Sequence, residues 1–497
     1  MPLRANLRRW SVILAPTAAL LAACTDAPTR IAAPTSSAAV RTSLSPASGI
    51  PTGKTVVVFK DTSSIPLAGL ALLNSVGGTV TTRWDNIGVA FVSGLSASAL
   101  ATLSASTLIE SVGNDRILNW LPGVRVGGAI QGDAAALPQN NPANASYYAN
   151  GTQWNMRVIQ ADKAWVAGKQ GLPSTRVAIL DTGIDYAHRE IRTLVDLNAS
   201  ENFANLIVGV ADGVPSVSAP IEPQLPGDSA FMDNHFHGTH VASTVASNNI
   251  SVASIAPDVT LIGVKVLSMT GSGSFESVAS GIRHAAGPAN ADVINMSLGA
   301  GIEPGEEGAP ALLELMSRVI RDAEKQGAIV ISAAGNDAIN LDVGTIVYTP
   351  CEQSTICVSA TGPLMQQNFD QPAEYTNYGI TAIEVAAPGG NASDTAEYVN
   401  QDLIIGACSR RASEPGLAPC RVSTEGVAYF YAYAAGTSMA SPHVAGQAAM
   451  IKSYNPTLSV NGLRAKILGT TDDIGVKGRD IYSNYGRINV ARALGLK

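Results

Sequence analysis

A doubly wound α/β fold, a mainly parallel sheet with helices on both faces, is predicted for most of this 497-residue chain by three observations. Short apolar runs recur, VAIL (177–180), LIGVKV (261–266), VINM (293–296) and IVIS (329–332), and strands with so little alternation are those buried on both faces. Between them lie stretches with helical spacing, among them FESVASGIRHAA (275–286) and ALLELMSRVIRDAEKQG (311–327), the latter closed by Gly327. Polar residues stand where apolar runs end, at Asp181, Ser297 and Asn336, and the working residues of such sheets gather at the carboxyl ends of strands.

The elements before this region follow a different plan. Residues 1–23 combine an arginine-rich, acid-free start with the apolar run SVILAPTAALLA, the layout of an export signal. LAAC resembles a bacterial lipobox, in which Cys24 carries lipid and anchors the precursor; a plain secretory signal cut nearby is the alternative. Residues 24–52, rich in Pro, Ser, Thr and Ala, form a tether. Residues 53–119 then read as strand (TVVVF), helix (IPLAGLALLNSV), two strands (TVTTRW, GVAFVSGL), helix with a Ser N-cap (SASALATLSAS) and strand (LIESVGNDRIL), a small α+β unit of β-α-β-β-α-β order. Residues 120–150, with QNNPANASYYANG, read as an exposed linker, and 151–497 as the large domain.

Composition narrows the partners. Apolar residues make up 46% and charged ones 14%, an ordinary globular balance, and a net charge of −7 without a basic stripe excludes nucleic acid. Apart from Cys24, four cysteines remain, and an even number in an exported chain points to disulfides. Cys351 with Cys357 and Cys408 with Cys420 is the simplest of three connectivities.

HGTHVASTVAS (237–247) and SMASPHVAGQAAMI (438–451) are further helices, the second with Ser438 at its start and Pro442 expected in its first turn. A serine there is commonly an N-cap. Gly436 and Thr437 permit a sharp turn that would expose Ser438, with its N–H ready to donate to an oxyanion. A serine hydroxyl needs a general base to become a nucleophile, and the base needs an orienting carboxylate.

DTGID (181–185), HGTHVA (237–242), AAGN (333–336) and GTSMASPHVAG (436–446) together resemble the subtilisin-like serine peptidases, in that family's order of Asp, His, Ser. WNMRVIQADKAW (154–165), NMSLG (295–299) and AAPGG (386–390) add to the likeness, which spans most of 150–460. The resemblance implies that Asp181 orients the imidazole of His237, that His237 is base and then acid, that Ser438 is the nucleophile and that Asn336 donates to the oxyanion. It also implies that Gly271, Ser272 and Gly273, with Ser297, Leu298 and Gly299, pair with an extended protein or peptide substrate, and that Ala333, Ala334 and Gly335 wall the pocket for the residue before the scissile bond. The pocket base is expected within 337–350. The 53–119 unit resembles the family's propeptide, an intramolecular inhibitor removed by a cut between Asn119 and Trp154, which would free the large domain from any anchor.

No cofactor is required for this chemistry. Glu190 stands where the family's calcium site uses an aspartate and the 248–257 loop is short, so a structural calcium ion is not supported there, although carboxylates elsewhere leave one open. Ser243 replaces a family glycine, and residues 391–430 are an insertion beside the cleft. Two rival readings remain: a metal-dependent hydrolase using the H-x-H-x-x-H of HFHGTH (235–240), and an inactive peptidase-like binding module. Within HFHGTH, His240 falls one helical turn after His237 and reads as structural, as does His443, while His235 is expected along the cleft.

Overall fold

The computed structural model describes residues 30–31, 49–132, 136–204, 207–211, 214–218, 227–413, 415–422 and 430–496. The export signal, Cys24 and most of the tether lie outside the described residues. Among the described residues no helix is long and apolar enough to cross a membrane.

Residues 50–119 form strand β1 (Ile50–Phe59), helix α1 (Leu67–Ser75), strands β2 (Thr79–Trp84) and β3 (Val89–Ser93), helix α2 (Ala97–Ser104) and strand β4 (Ile109–Asn119). The Ser96 side chain accepts the Ala99 N–H at the start of α2, as an N-cap does. Alternation decides the packing: Val57, Phe59, Ala90 and Val92 face the two helices, while Val56, Val58, Val89 and Phe91 turn towards the large domain.

The large domain adds strands β5 (Arg125–Gln131), β6 (Arg176–Asp181) and β7 (Glu201–Asn202), helix α3 (His237–Val245), strands β8 (Thr260–Lys265) and β9 (Ser272–Ser274), and helix α4 (Phe275–Ala286). Strand β10 (Val293–Met296), helix α5 (Ala309–Lys325) and strands β11 (Ile329–Ala333), β12 (Ile356–Thr361), β13 (Val385–Pro388), β14 (Ile404–Ala407) and β15 (Phe430–Ala435) lead to helix α6 (Thr437–Tyr454). A seven-stranded sheet runs β13-β12-β11-β10-β6-β8-β7, every neighbouring pair parallel. Successive residues of β6 feed opposite cores, Val177 and Ile179 the one with α3 and α6, Ala178 and Leu180 the one with α4 and α5. That double burial is why the strands carry no polar alternation.

Two local expectations need correction. The stretch after Asn119 is not loose: Trp120 is fully buried with its ring 5.0 Å from Phe275, and β5 pairs antiparallel with β15. Its glycines and polar neighbours hide that pairing, which is supplied by a strand about 300 residues away. Pro442 is the sixth residue of α6 rather than part of its first turn. It removes the N–H that the Ser438 carbonyl would accept in the helix, and Ser297 Oγ donates to that carbonyl at 2.7 Å instead.

Cys351 is bonded to Cys357 and Cys408 to Cys420. The second bridge closes a loop whose Arg410 meets Asp185 and whose Ser413 N–H donates to the His235 carbonyl, so this part of the 391–430 segment borders the helix that carries His237. Ser243 ties the same helix to β14, donating to the His240 carbonyl at 2.9 Å and accepting the Ala407 N–H at 2.8 Å. The buried Glu190 carboxylate accepts the N–H groups of Ile250, Ser251 and Val252 and the Tyr431 hydroxyl, holding the 248–257 loop by hydrogen bonds.

Candidate active site

Asp181 closes β6 and His237 opens α3. Both are fully buried, and His237 Nδ1 donates to the Asp181 carboxylate, 2.8 Å from Oδ1 and 2.9 Å from Oδ2. A hydrogen bond there fixes the tautomer, leaving Nε2 as the free lone pair; Nε2 is buried and has no hydrogen-bond partner. The backbone that aims this ring is held by Asp233, which the sequence reading did not single out. Its Oδ1 accepts the N–H groups of His235 and Phe236 and the Thr182 hydroxyl, and its Oδ2 accepts the Thr239 N–H. Those bonds keep Phe236 at φ 136°, a conformation that costs a bulky residue about 1–3 kcal/mol.

Ser438 sits at the second position of α6 and is nearly buried. Its Oγ donates to the Ser297 carbonyl at 2.9 Å, so the described hydrogen bonds do not join it to His237. Thr437 organises the other side. Its N–H and its hydroxyl both donate to Asn336 Oδ1, at 2.8 and 3.0 Å, while its Oγ1 accepts the Gly335 N–H. With Oδ1 committed, the Asn336 amide must present Nδ2 to the cleft, and Nδ2 donates to the main-chain carbonyl of Pro122 at 2.9 Å. An amide on a carbonyl beside a serine is the arrangement that stabilises an oxyanion.

The predicted backbone-pairing segments are occupied by the chain itself. Ser272–Ser274 pair antiparallel with Ile117–Asn119, Gly271 O accepts the Trp120 N–H, and the Gly299 N–H donates to the Trp120 carbonyl. Ala333 and Ala334 are buried at the end of β11, and Gly335 follows at φ 99°. Within the 337–350 segment Leu341, Tyr348 and Thr349 are buried, and Tyr348 is the large ring among them. A Cβ on Gly299 would lie 2.3 Å from its ring and one on Gly335 2.5 Å, so the ring is wedged between the backbone-pairing segment at Gly299 and the predicted pocket wall at Gly335.

The three histidines of HFHGTH diverge. His240 Nε2 donates to the Ile404 and Ala432 carbonyls, and His235 stacks on Phe236. Among the described residues no group of three His, Cys, Asp or Glu side chains converges on one point as metal ligands do. His443 is fully buried, donating from Nδ1 to the Met439 carbonyl and accepting from Asn155 Nδ2 at Nε2.

Burial holds the His443 pKa down at about 4, against 6.5 for the free side chain, so the folded ring is neutral. As pH falls the unfolded chain takes up this proton first. The stabilisation is therefore complete above pH 6.5 and is lost as pH falls from 6.5 to about 4, a total of about 3 kcal/mol at 1.36 kcal/mol per pH unit. In urea unfolding on a Ser438→Ala background, the stability deficit of an added His443→Gln change should shrink by about 3 kcal/mol between neutral pH and pH 4. A deficit independent of pH would show that this histidine does not titrate in that window.

The subtilase family model matches residues 173–489. Subtilisin DY of Bacillus licheniformis is 32% identical over 342 residues, covering 68% of this chain and 97% of its own length. Subtilisin E of Bacillus subtilis is 33% identical over 351 residues, covering 70% and 73%. Among solved structures, the epidermin leader peptide processing serine protease of Staphylococcus aureus superposes with a TM-score of 0.63 at 20% identity, covering 89% of this chain and 97% of that one. Fervidolysin of Fervidobacterium pennivorans gives 0.63 at 20% identity, covering 91% and 62%.

Proposed function

The chain belongs to the subtilase family and is a serine endopeptidase, and we propose that it is exported as a self-processed zymogen whose Ser438, His237 and Asp181 cleave peptide bonds through an acyl-enzyme. The observation that carries this reading is the Asn336 Nδ2 hydrogen bond to a main-chain carbonyl, made by an amide whose Oδ1 is held by Thr437, the residue next to Ser438. Ser438 Oγ turns from the Ser297 carbonyl to His237 Nε2, gives up its proton there and attacks the substrate carbonyl. Asn336 Nδ2 takes the developing oxyanion. His237, its positive charge balanced by Asp181, returns the proton to the leaving amine, and water repeats the sequence to free the enzyme.

Residues 53–119 act in this proposal as the intramolecular inhibitor, with β4 lying in the cleft as an extra strand on β9. Export by residues 1–23 and lipid attachment at Cys24 complete it: the precursor is anchored, and a cut between Asn119 and Trp154 releases the large domain. Membrane fractionation should find the Ser438→Ala precursor in the membrane and the mature wild-type domain in the soluble fraction.

Casein hydrolysis with and without a zinc chelator tests the function itself. Hydrolysis insensitive to the chelator supports the serine route, and hydrolysis abolished by it favours a metal hydrolase at HFHGTH. The wedged Tyr348 makes the pocket shallow, which favours a small residue before the scissile bond. Tyr348→Gly should raise kcat/KM for a phenylalanyl peptide relative to its alanyl counterpart by roughly tenfold or more. An unchanged ratio would place the pocket base elsewhere.

A further inference from the structure

We propose that the bond cut first in maturation is Pro122–Gly123, and that the proline slows its cleavage by leaving Ser438 held on the Ser297 carbonyl. This rests on the peptidase reading above and adds the bond and its regulation.

The chain is fixed on both sides of that bond. Upstream, Asn119 pairs with Ser272, and the Trp120 backbone is held by Gly271 and Gly299. Downstream, Arg125 pairs with Ala435, at the end of the strand that runs into Ser438. Between these clamps the Pro122 carbonyl is the one that Asn336 Nδ2 holds at 2.9 Å. Gly123 passes so close that a Cβ there would lie 3.0 Å from the Asn336 Cβ, and its φ of 69° suits glycine.

The brake follows from register. The Trp120 carbonyl accepts from Gly299, and the chain then runs towards Asn336 and Ser438, so two residues on in the same antiparallel register residue 122 lies across from Ser297. An ordinary residue at 122 would donate its N–H to the Ser297 carbonyl. Proline has none. That carbonyl instead accepts from Ser438 Oγ, at 2.9 Å, and His237 Nε2 is left without a partner. The nucleophile must give up this bond before it can attack. In the cut, Ser438 Oγ bonds to the Pro122 carbonyl carbon, its proton passes through His237 Nε2 to the Gly123 nitrogen, and the C–N bond breaks. Water then displaces Ser438, leaving a carboxylate on Pro122 and an amino terminus on Gly123.

The test follows purified full-length precursors of wild type, Pro122→Ala and Ser438→Ala over time by intact mass and amino-terminal sequencing of the first product. The wild-type product should begin at Gly123, Pro122→Ala should yield the same terminus about two- to tenfold faster, the worth of one hydrogen bond, and Ser438→Ala should stay intact. A first wild-type product beginning elsewhere, or a Pro122→Ala precursor cut no faster, overturns the proposal while an intact Ser438→Ala precursor leaves the peptidase reading standing. A Ser438→Ala precursor that matures at the wild-type rate overturns both.

Discussion

Ser438→Ala is expected to lower kcat for peptide hydrolysis on the order of 10⁶-fold, the loss that removing the nucleophile causes in subtilisin, and to leave the fold intact. The side chain makes one hydrogen bond, to the Ser297 carbonyl, so its removal should change the unfolding free energy by about 1 kcal/mol or less. Everything around it survives: the Asp181–His237 pair, the Thr437 bonds that orient Asn336, and the Ser297 Oγ bond that satisfies the Ser438 carbonyl. His237→Ala should cost nearly as much alone, and the double variant no more than either, because the groups act as one unit. Initial rates on an internally quenched peptide, with unfolding followed in parallel, check this. A Ser438→Ala protein retaining a few per cent of activity would put the nucleophile elsewhere.

The second large effect is structural. Asp185 is fully buried, and Arg410 reaches it from the Cys408–Cys420 loop, its Nε 2.9 Å from Oδ2, its Nη2 2.8 Å from Oδ1 and its own N–H 3.0 Å from Oδ2. Burial alone would push the Asp185 carboxyl up, yet the Arg410 guanidinium and N–H hold it below its ordinary value. A carboxyl held down keeps its contribution above the ordinary carboxylate pKa, about 4, and loses it only in more acid solution. Arg410→Met should therefore lower the unfolding free energy by about 3–5 kcal/mol at neutral pH, since it strands a buried charge. Adding Asp185→Asn should recover part of that loss, because the charge goes too. Urea unfolding on the Ser438→Ala background, which prevents self-digestion, measures both. A single variant as stable as its parent would show that the pair contributes little.

The same contacts show what the sequence could and could not tell. The doubly wound sheet was legible because its strands are apolar on both faces, and Asp181, Ser297 and Asn336 stand where strand termini place them, with Asn336 three residues beyond the end of β11. The disulfides were legible because each links cysteines within 12 residues. Arg410 was not, because its partner lies 225 residues away and an arginine after a cysteine has no local signature. Asp233 acts through a turn whose backbone N–H groups it gathers, a role that any of several polar residues in MDNHFHG could have held. Pro122 lies in the 120–150 stretch that reads as an exposed linker. Only the pairing of β4 with β9 and of β5 with β15 brings it beneath Asn336. Pro442 was misplaced by a few residues because helix starts are set by capping and packing, and here a tertiary bond from Ser297 makes an interior proline tolerable.

Mapping a fluorophosphonate adduct by mass spectrometry on the matured wild-type protein tests the central claim most directly. One adduct is predicted, on the peptide containing Ser438, with labelling lost in Ser438→Ala and strongly slowed in His237→Ala. An adduct on another residue, or an unlabelled protein that still hydrolyses casein, would contradict it.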